Sequence, residues 1–158
     1  MKALFASALV AALVSTAAQA DVSVSDPWVR ATVAQQKATG AFMRITSPVD
    51  ARLVSASSPV AGVVEIHEMV MDGEIMKMRA IPGLALPAGQ AVELKPGGYH
   101  VMLIDLKQQV KVGDVVPVSI VVEGADGKRE TLELKADARP LNSAAPMGQG
   151  HGEMKHKH

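Results

Sequence analysis

Residues 64–80, VEIHEMVMDGEIMKMRA, hold one histidine and four of the chain's nine methionines. A second short stretch, GGYHVMLID, repeats the chemistry with His100 and Met102 two residues apart, on one side of a strand. All five histidines (67, 100, 151, 156 and 158) fall in or beside two places, the region 67–102 and the C-terminal end. Apart from Met1, only Met43 lies outside the 69–102 region and that end. Thioether sulfur and imidazole nitrogen together suit a soft monovalent cation such as Cu(I), whereas calcium or magnesium would need clustered oxygens. Zinc would more often recruit cysteine, further histidine or carboxylate. The competing reading is that methionine, which fills irregular cores, marks the buried face of a strand pair. The way methionine tracks histidine favours the metal.

The elements that must position these groups are strands. Short runs rich in valine, isoleucine and threonine recur near 22–30, 40–47, 51–57, 63–71, 74–81, 91–95, 99–105, 115–123 and 129–136. Turn residues separate them at Asp72-Gly73, Pro82-Gly83, Pro87-Ala88-Gly89, Pro96-Gly97-Gly98 and Asp126-Gly127. No segment carries a helical period, so the expected class is all-β, a sandwich or barrel. Asp-Gly between two strand-like runs is a strong hairpin signal. With Asp72 and Gly73 as the central turn residues, His67 would face Met78, Met69 would face Met76, and Glu68 would face Lys77. His67, Met69, Met71, Met76 and Met78 would then share one side, directly opposed Cβ atoms lying roughly 5 Å apart.

The first twenty residues read as a secretory signal: Lys2, an apolar run, then Ala18-Gln19-Ala20 as an A-x-A cleavage site. The run is too short and too alanine-rich to serve well as a membrane span. Of sixteen basic residues Lys2 would leave with the signal, so fifteen remain against sixteen acidic ones. Such a near-neutral chain lacks the basic stripe of a nucleic-acid binder. There is no cysteine, which excludes disulfides, thiol exchange, a cysteine nucleophile and a blue-copper thiolate. From about residue 139 the text RPLNSAAPMGQGHGEMKHKH turns small and polar and reads as a flexible tail. The expected organisation is a signal peptide over 1–20, one domain over 21–138 and a tail over 139–158.

The spacing His67, ten residues, Met78, twenty-one residues, His100, one residue, Met102 resembles the H(M)x10Mx21HxM signature of the periplasmic PCu(A)C copper chaperones, with Met69 near the optional methionine. The likeness extends through DPWVRAT, ATGAFMRI, HEMVMDGEIMKMR and LKPGGYHVML. The resemblance implies a cupredoxin-like β-sandwich, Cu(I) held by His67, Met78, His100 and Met102, and delivery of copper towards the Cu(A) or related sites of respiratory oxidases, alongside Sco-type thiol proteins. Met69 and Met76 would then be core packing or a soft outer layer to the site, Met71 packing or surface at the turn, and Met43 and Trp28 core. In the tail, Met147, His151, Met154, His156 and His158 form a second metal-binding composition suited also to Cu(II). An enzyme is disfavoured: a histidine-brace copper monooxygenase needs histidine at the mature N-terminus where Asp21 would stand, and no Ser, His and Asp arrangement stands out. The alternative function is a β-sandwich interaction module with an exposed, methionine-bearing apolar patch and no metal transfer.

Overall fold

The computed structural model describes residues 21–143. Both the expected signal peptide (1–20) and the tail residues Met147, His151, Met154, His156 and His158 lie outside that range. Ten strands follow in chain order: β1 (Ser23–Arg30), β2 (Ala38–Thr46), β3 (Ala51–Ser57), β4 (Ala61–Asp72), β5 (Ile75–Ala80), β6 (Leu84–Leu86), β7 (Ala91–Leu94), β8 (His100–Leu106), β9 (Val115–Gly124) and β10 (Arg129–Arg139). There is no helix among the described residues. All nine expected strands are present. The addition is β6, whose three residues between Pro82-Gly83 and Pro87 are too few to display an alternating pattern.

Hydrogen bonds connect the strands in the order β5-β4-β8-β2-β1-β10-β9-β3-β6, with β7 also paired to β2. Among the described residues only β1 and β10 run parallel. The path folds over on itself as a β-sandwich, so β3 packs across from β4 although the two are far apart in the strand order. Between the layers lies one apolar core. Val29, Ala41, Met43, Ile45, Ile66, Val101 and Leu103 come from one layer, and Leu53, Leu84, Leu86, Val118, Ile120 and Val122 from the other. Alternation then fixes what the first layer shows on its outer side, namely the neighbours of those core residues: Trp28, Arg30, Phe42, His67, His100 and Met102.

Strand β1 reaches this arrangement through a bulge. Its register against β2 shifts between Ser25 and Trp28, where Asp26 adopts a positive φ of 49° and Pro27 follows. One extra residue exchanges the two faces of a strand. Val24 therefore packs on the core before the bulge and Val29 after it. Trp28 is buried, as expected, but on the outer face, against Phe42 and outside the contiguous core.

The β4–β5 hairpin corrects the expected pairing. His67 lies opposite Ala80, Met69 opposite Met78, Met71 opposite Met76, and Glu68 opposite Arg79. Gly73 and Glu74 are the turn residues; only Gly73 has positive φ, at 64°, the φ pattern of a II′ turn with glycine first. Asp72 instead ends β4 and binds Lys77. The register slips by two residues rather than one, so the face assignment of His67 and the methionines survives while their partners change.

Candidate metal centre

Strand β8 lies between β4 and β2, and it aligns the site. His100 stands opposite His67, and Phe42 follows on β2 next to Trp28 on β1. The result is a row of rings across four strands: Trp28 to Phe42 at 4.5 Å between centroids, Phe42 to His100 at 6.3 Å, and His100 to His67 at 5.6 Å with the imidazoles edge to face at 63°. Two residues along, on the same face, Met102 lies opposite Glu65 on β4 and Gly40 on β2. In the other direction the strands carry the opposed pair Met69 and Met78.

Met78 reaches back over β8, placing its Sδ 3.2 Å from His100 Nε2. The same ring's Nδ1 lies 3.0 Å from the Gly98 carbonyl. A carbonyl can only accept, so Nδ1 carries the proton and Nε2 presents its lone pair to the sulfur. His100 is only 5% exposed. Burial holds its pKa below the ordinary imidazole value of 6.5; the Gly98 hydrogen bond opposes that shift, and the electrostatic influence of His67 and Arg30 adds to it.

His67 is held in a corresponding way. Its Nε2 donates to the Glu65 carboxylate at 2.7 Å, while Nδ1 is buried without a hydrogen-bond partner. A buried imidazole nitrogen left unpaired is costly unless another species completes it. Each histidine thus has one nitrogen anchored, and the outer anchor is what sets tautomer and ring orientation in metal-ligating histidines.

Met69, Met78, His100 and Met102 line one shallow pocket with Phe42, Gly40 and Arg30. His67 stands beside that group through its ring contact with His100. The expected four residues are therefore brought together from three strands, with Met69 added. Met76, expected to be core or an outer layer to the site, is instead 47% exposed, whereas Met71, expected as packing or surface at the turn, is 61% exposed and lies on the surface. Met76 lies on β5, which pairs with β4 alone and forms the edge of the sheet. Among the described residues no three His, Cys, Asp or Glu side chains converge. Any ion held here would depend on thioether sulfur, which hard cations reject.

Phe42, Arg30 and Glu65 escape a reading of residue types, because each looks like an ordinary strand residue. The alternation in ATGAFMRI could have placed Phe42 away from Met43, but only the strand order puts it beside His100. Arg139 and Arg30 cover the ring row, their Cζ atoms 5.2 Å from the Trp28 centroid and 5.5 Å from that of Phe42.

The LpqE-like family profile matches residues 22–135. The chain belongs to this family, the PCuAC family of copper chaperones. The PCuAC chain is 33% identical over 118 residues to the lipoprotein-named Lxx21020 of Leifsonia xyli subsp. xyli, covering 73% of this chain and 70% of that one. Among solved structures, Cu(I)-bound DR1885 of Deinococcus radiodurans is 29% identical with a TM-score of 0.57, covering 82% of this chain and 85% of its own. The copper-bound PCuAC domain from PmoF2 has the same fold at 21% identity and a TM-score of 0.56, covering 75% of this chain and 93% of its own. The family's lipoprotein-like character points to an extracytoplasmic setting.

Proposed function

We propose that this PCuAC protein is a periplasmic copper chaperone that binds Cu(I) through His67, Met78, His100 and Met102 and passes it to a copper site of a respiratory oxidase. The reading is carried by one contact: the unprotonated Nε2 of His100 lies 3.2 Å from Met78 Sδ, beside Met102 and Met69 in one pocket. Two neutral imidazoles and two neutral thioethers form a donor set for monovalent copper. Because they supply no thiolate charge, a recipient with stronger donors can take the ion. The copper-bound relatives support the cargo, and the family supports the carrier role.

The finer parts of the proposal are the Cu(A) or related site as destination, a Sco-type thiol protein as companion, and cleavage after Ala20 to begin the chain at Asp21. The tail residues Met147, His151, Met154, His156 and His158 would capture Cu(II) and raise its concentration beside the folded site, as linked modules do. Truncation after Ser143, which keeps Arg139 at the end of β10, should then lower the Cu(II) stoichiometry and leave Cu(I) uptake intact. Anaerobic Cu(I) titration followed by X-ray absorption tests the main proposal. One equivalent of copper with both sulfur and nitrogen neighbours is the expected result; a nitrogen-only environment would remove it.

A further inference from the structure

Arg30 is the one charged side chain among the described residues lining the pocket that holds Met69, Met78, His100 and Met102. It comes from β1, two strands away from β8, and its guanidinium is placed over Phe42, the ring next to His100. Its charge has no carboxylate against it. Arg44, Arg79, Arg129 and Arg139 each form an ion pair with Glu or Asp, whereas Arg30 forms none among the described residues, and its Nε is buried without a hydrogen-bond partner. The contrast with Arg139 is informative, since that side chain covers Trp28 in the same way but is neutralised by Asp26. The carboxylate nearest the histidines, Glu65, is bound to His67 and does not line the pocket.

We propose that Arg30 is a specificity-determining residue, a fixed positive charge on the pocket wall by which the site discriminates against divalent ions. This rests on the Cu(I) reading of the same pocket. Coulomb repulsion scales with the charge of the ion, so a divalent cation meets twice the opposition that a monovalent one does. The proposed donors are all neutral, and none offsets that difference. Arginine suits the task because its guanidinium stays protonated at any physiological pH and packs flat on an aromatic ring. From the pocket wall, that fixed charge opposes the second charge of Cu(II) or Zn(II) as well as the first. Softness of the ligands selects by chemistry, and Arg30 adds selection by charge.

The test compares the full chain with Arg30→Gln and Arg30→Lys, all with His151, His156 and His158 changed to Gln so that tail histidines do not bind divalent ions. Each is titrated with Cu(I) and Ag(I) anaerobically, and with Cu(II) and Zn(II). Arg30→Gln should tighten Cu(II) and Zn(II) about tenfold more than it changes Cu(I) and Ag(I), the effect of one unit charge across roughly 10 Å of protein-like medium. Arg30→Lys should keep the parental ratio. Equal changes for both classes of ion would overturn the proposal, as would Arg30→Lys behaving like Arg30→Gln, which would mean that ring packing and not charge is at issue. Failure of the parent chain to take up either Cu(I) or Ag(I) is a different result and would remove the pocket reading itself.

Discussion

His67 on β4 and His100 on β8 face each other directly across an antiparallel pair, their rings 5.6 Å apart, each with one nitrogen anchored by a different acceptor. Under the proposed function, these two imidazoles, each anchored at one nitrogen, would share one ion. Alanine at His67, His100, Met78 or Met102 should each weaken Cu(I) by about a hundredfold or more, since even outer partners of ligands contribute 10- to 100-fold. Met71→Ala, at the exposed end of the hairpin, should leave affinity essentially unchanged. Competition against a Cu(I) chelator measures both, and equal affinities across the set would dismiss the assignment.

Glu65 gives a second expectation. It accepts the His67 Nε2 proton and leaves Nδ1 without a partner. Glu65→Ala should reduce Cu(I) affinity by about 10- to 100-fold, and Glu65→Gln, whose amide oxygen still accepts, by less. Nitrogen-detected NMR of the apo chain reads the tautomer directly. A tautomer unaffected by Glu65→Ala would refute the positioning role even if affinity fell.

The apo protein should lose stability on mild acidification, partly through His100. Its folded pKa lies below 6.5, chiefly because the ring is buried. Well above pH 6.5 both folded and unfolded chains keep the ring neutral, and nothing is lost. As the pH falls through about 6.5, the unfolded chain takes up a proton that the folded one refuses, so folding weakens until the lower, folded value is passed. Melting temperature between pH 7.5 and 5 checks this. His100→Gln should have a shallower decline, and an identical slope would contradict the assignment.

The site face was legible in the sequence, but the contacts on it were not. Alternation put His67 and the hairpin methionines on one side, and a slip of two residues cannot alter that. Their partners depended on whether Asp72-Gly73 or Gly73-Glu74 makes the turn, a choice within reach of local energetics that the sequence leaves balanced. Trp28 changed face because a one-residue bulge at Asp26 inverts the strand, and no composition pattern reports a bulge. Arg30 and Phe42 acquire meaning only once β1 and β2 lie beside β8, which is long-range topology.

Gly40 tests the ring row. A Cβ there would lie 2.7 Å from Phe42 Cζ, so the ring must move and carry its contacts with Trp28 and His100. Gly40→Ala should cost about 1 to 3 kcal/mol, as small-to-large changes in packed sites do, and should weaken Cu(I) at the same time. Unchanged stability in urea titration would show that Phe42 yields freely and that the row does not hold His100.

Met78 allows binding to be separated from folding. Its side chain is 51% exposed on a strand paired on one edge only, yet its sulfur reaches His100. A residue so open contributes little to the core, and leucine keeps its volume and apolar character without a donor sulfur. Met78→Leu should therefore alter apo stability by no more than about 0.5 kcal/mol and still lower Cu(I) affinity about a hundredfold. Thermal denaturation of the apo and Cu(I)-loaded forms reads both quantities, because an ion bound only by the folded state raises the melting temperature. The variant should melt with the parent when apo and lose most of the copper-induced rise; retaining the full rise would mean that the sulfur beside His100 is a neighbour and not a ligand.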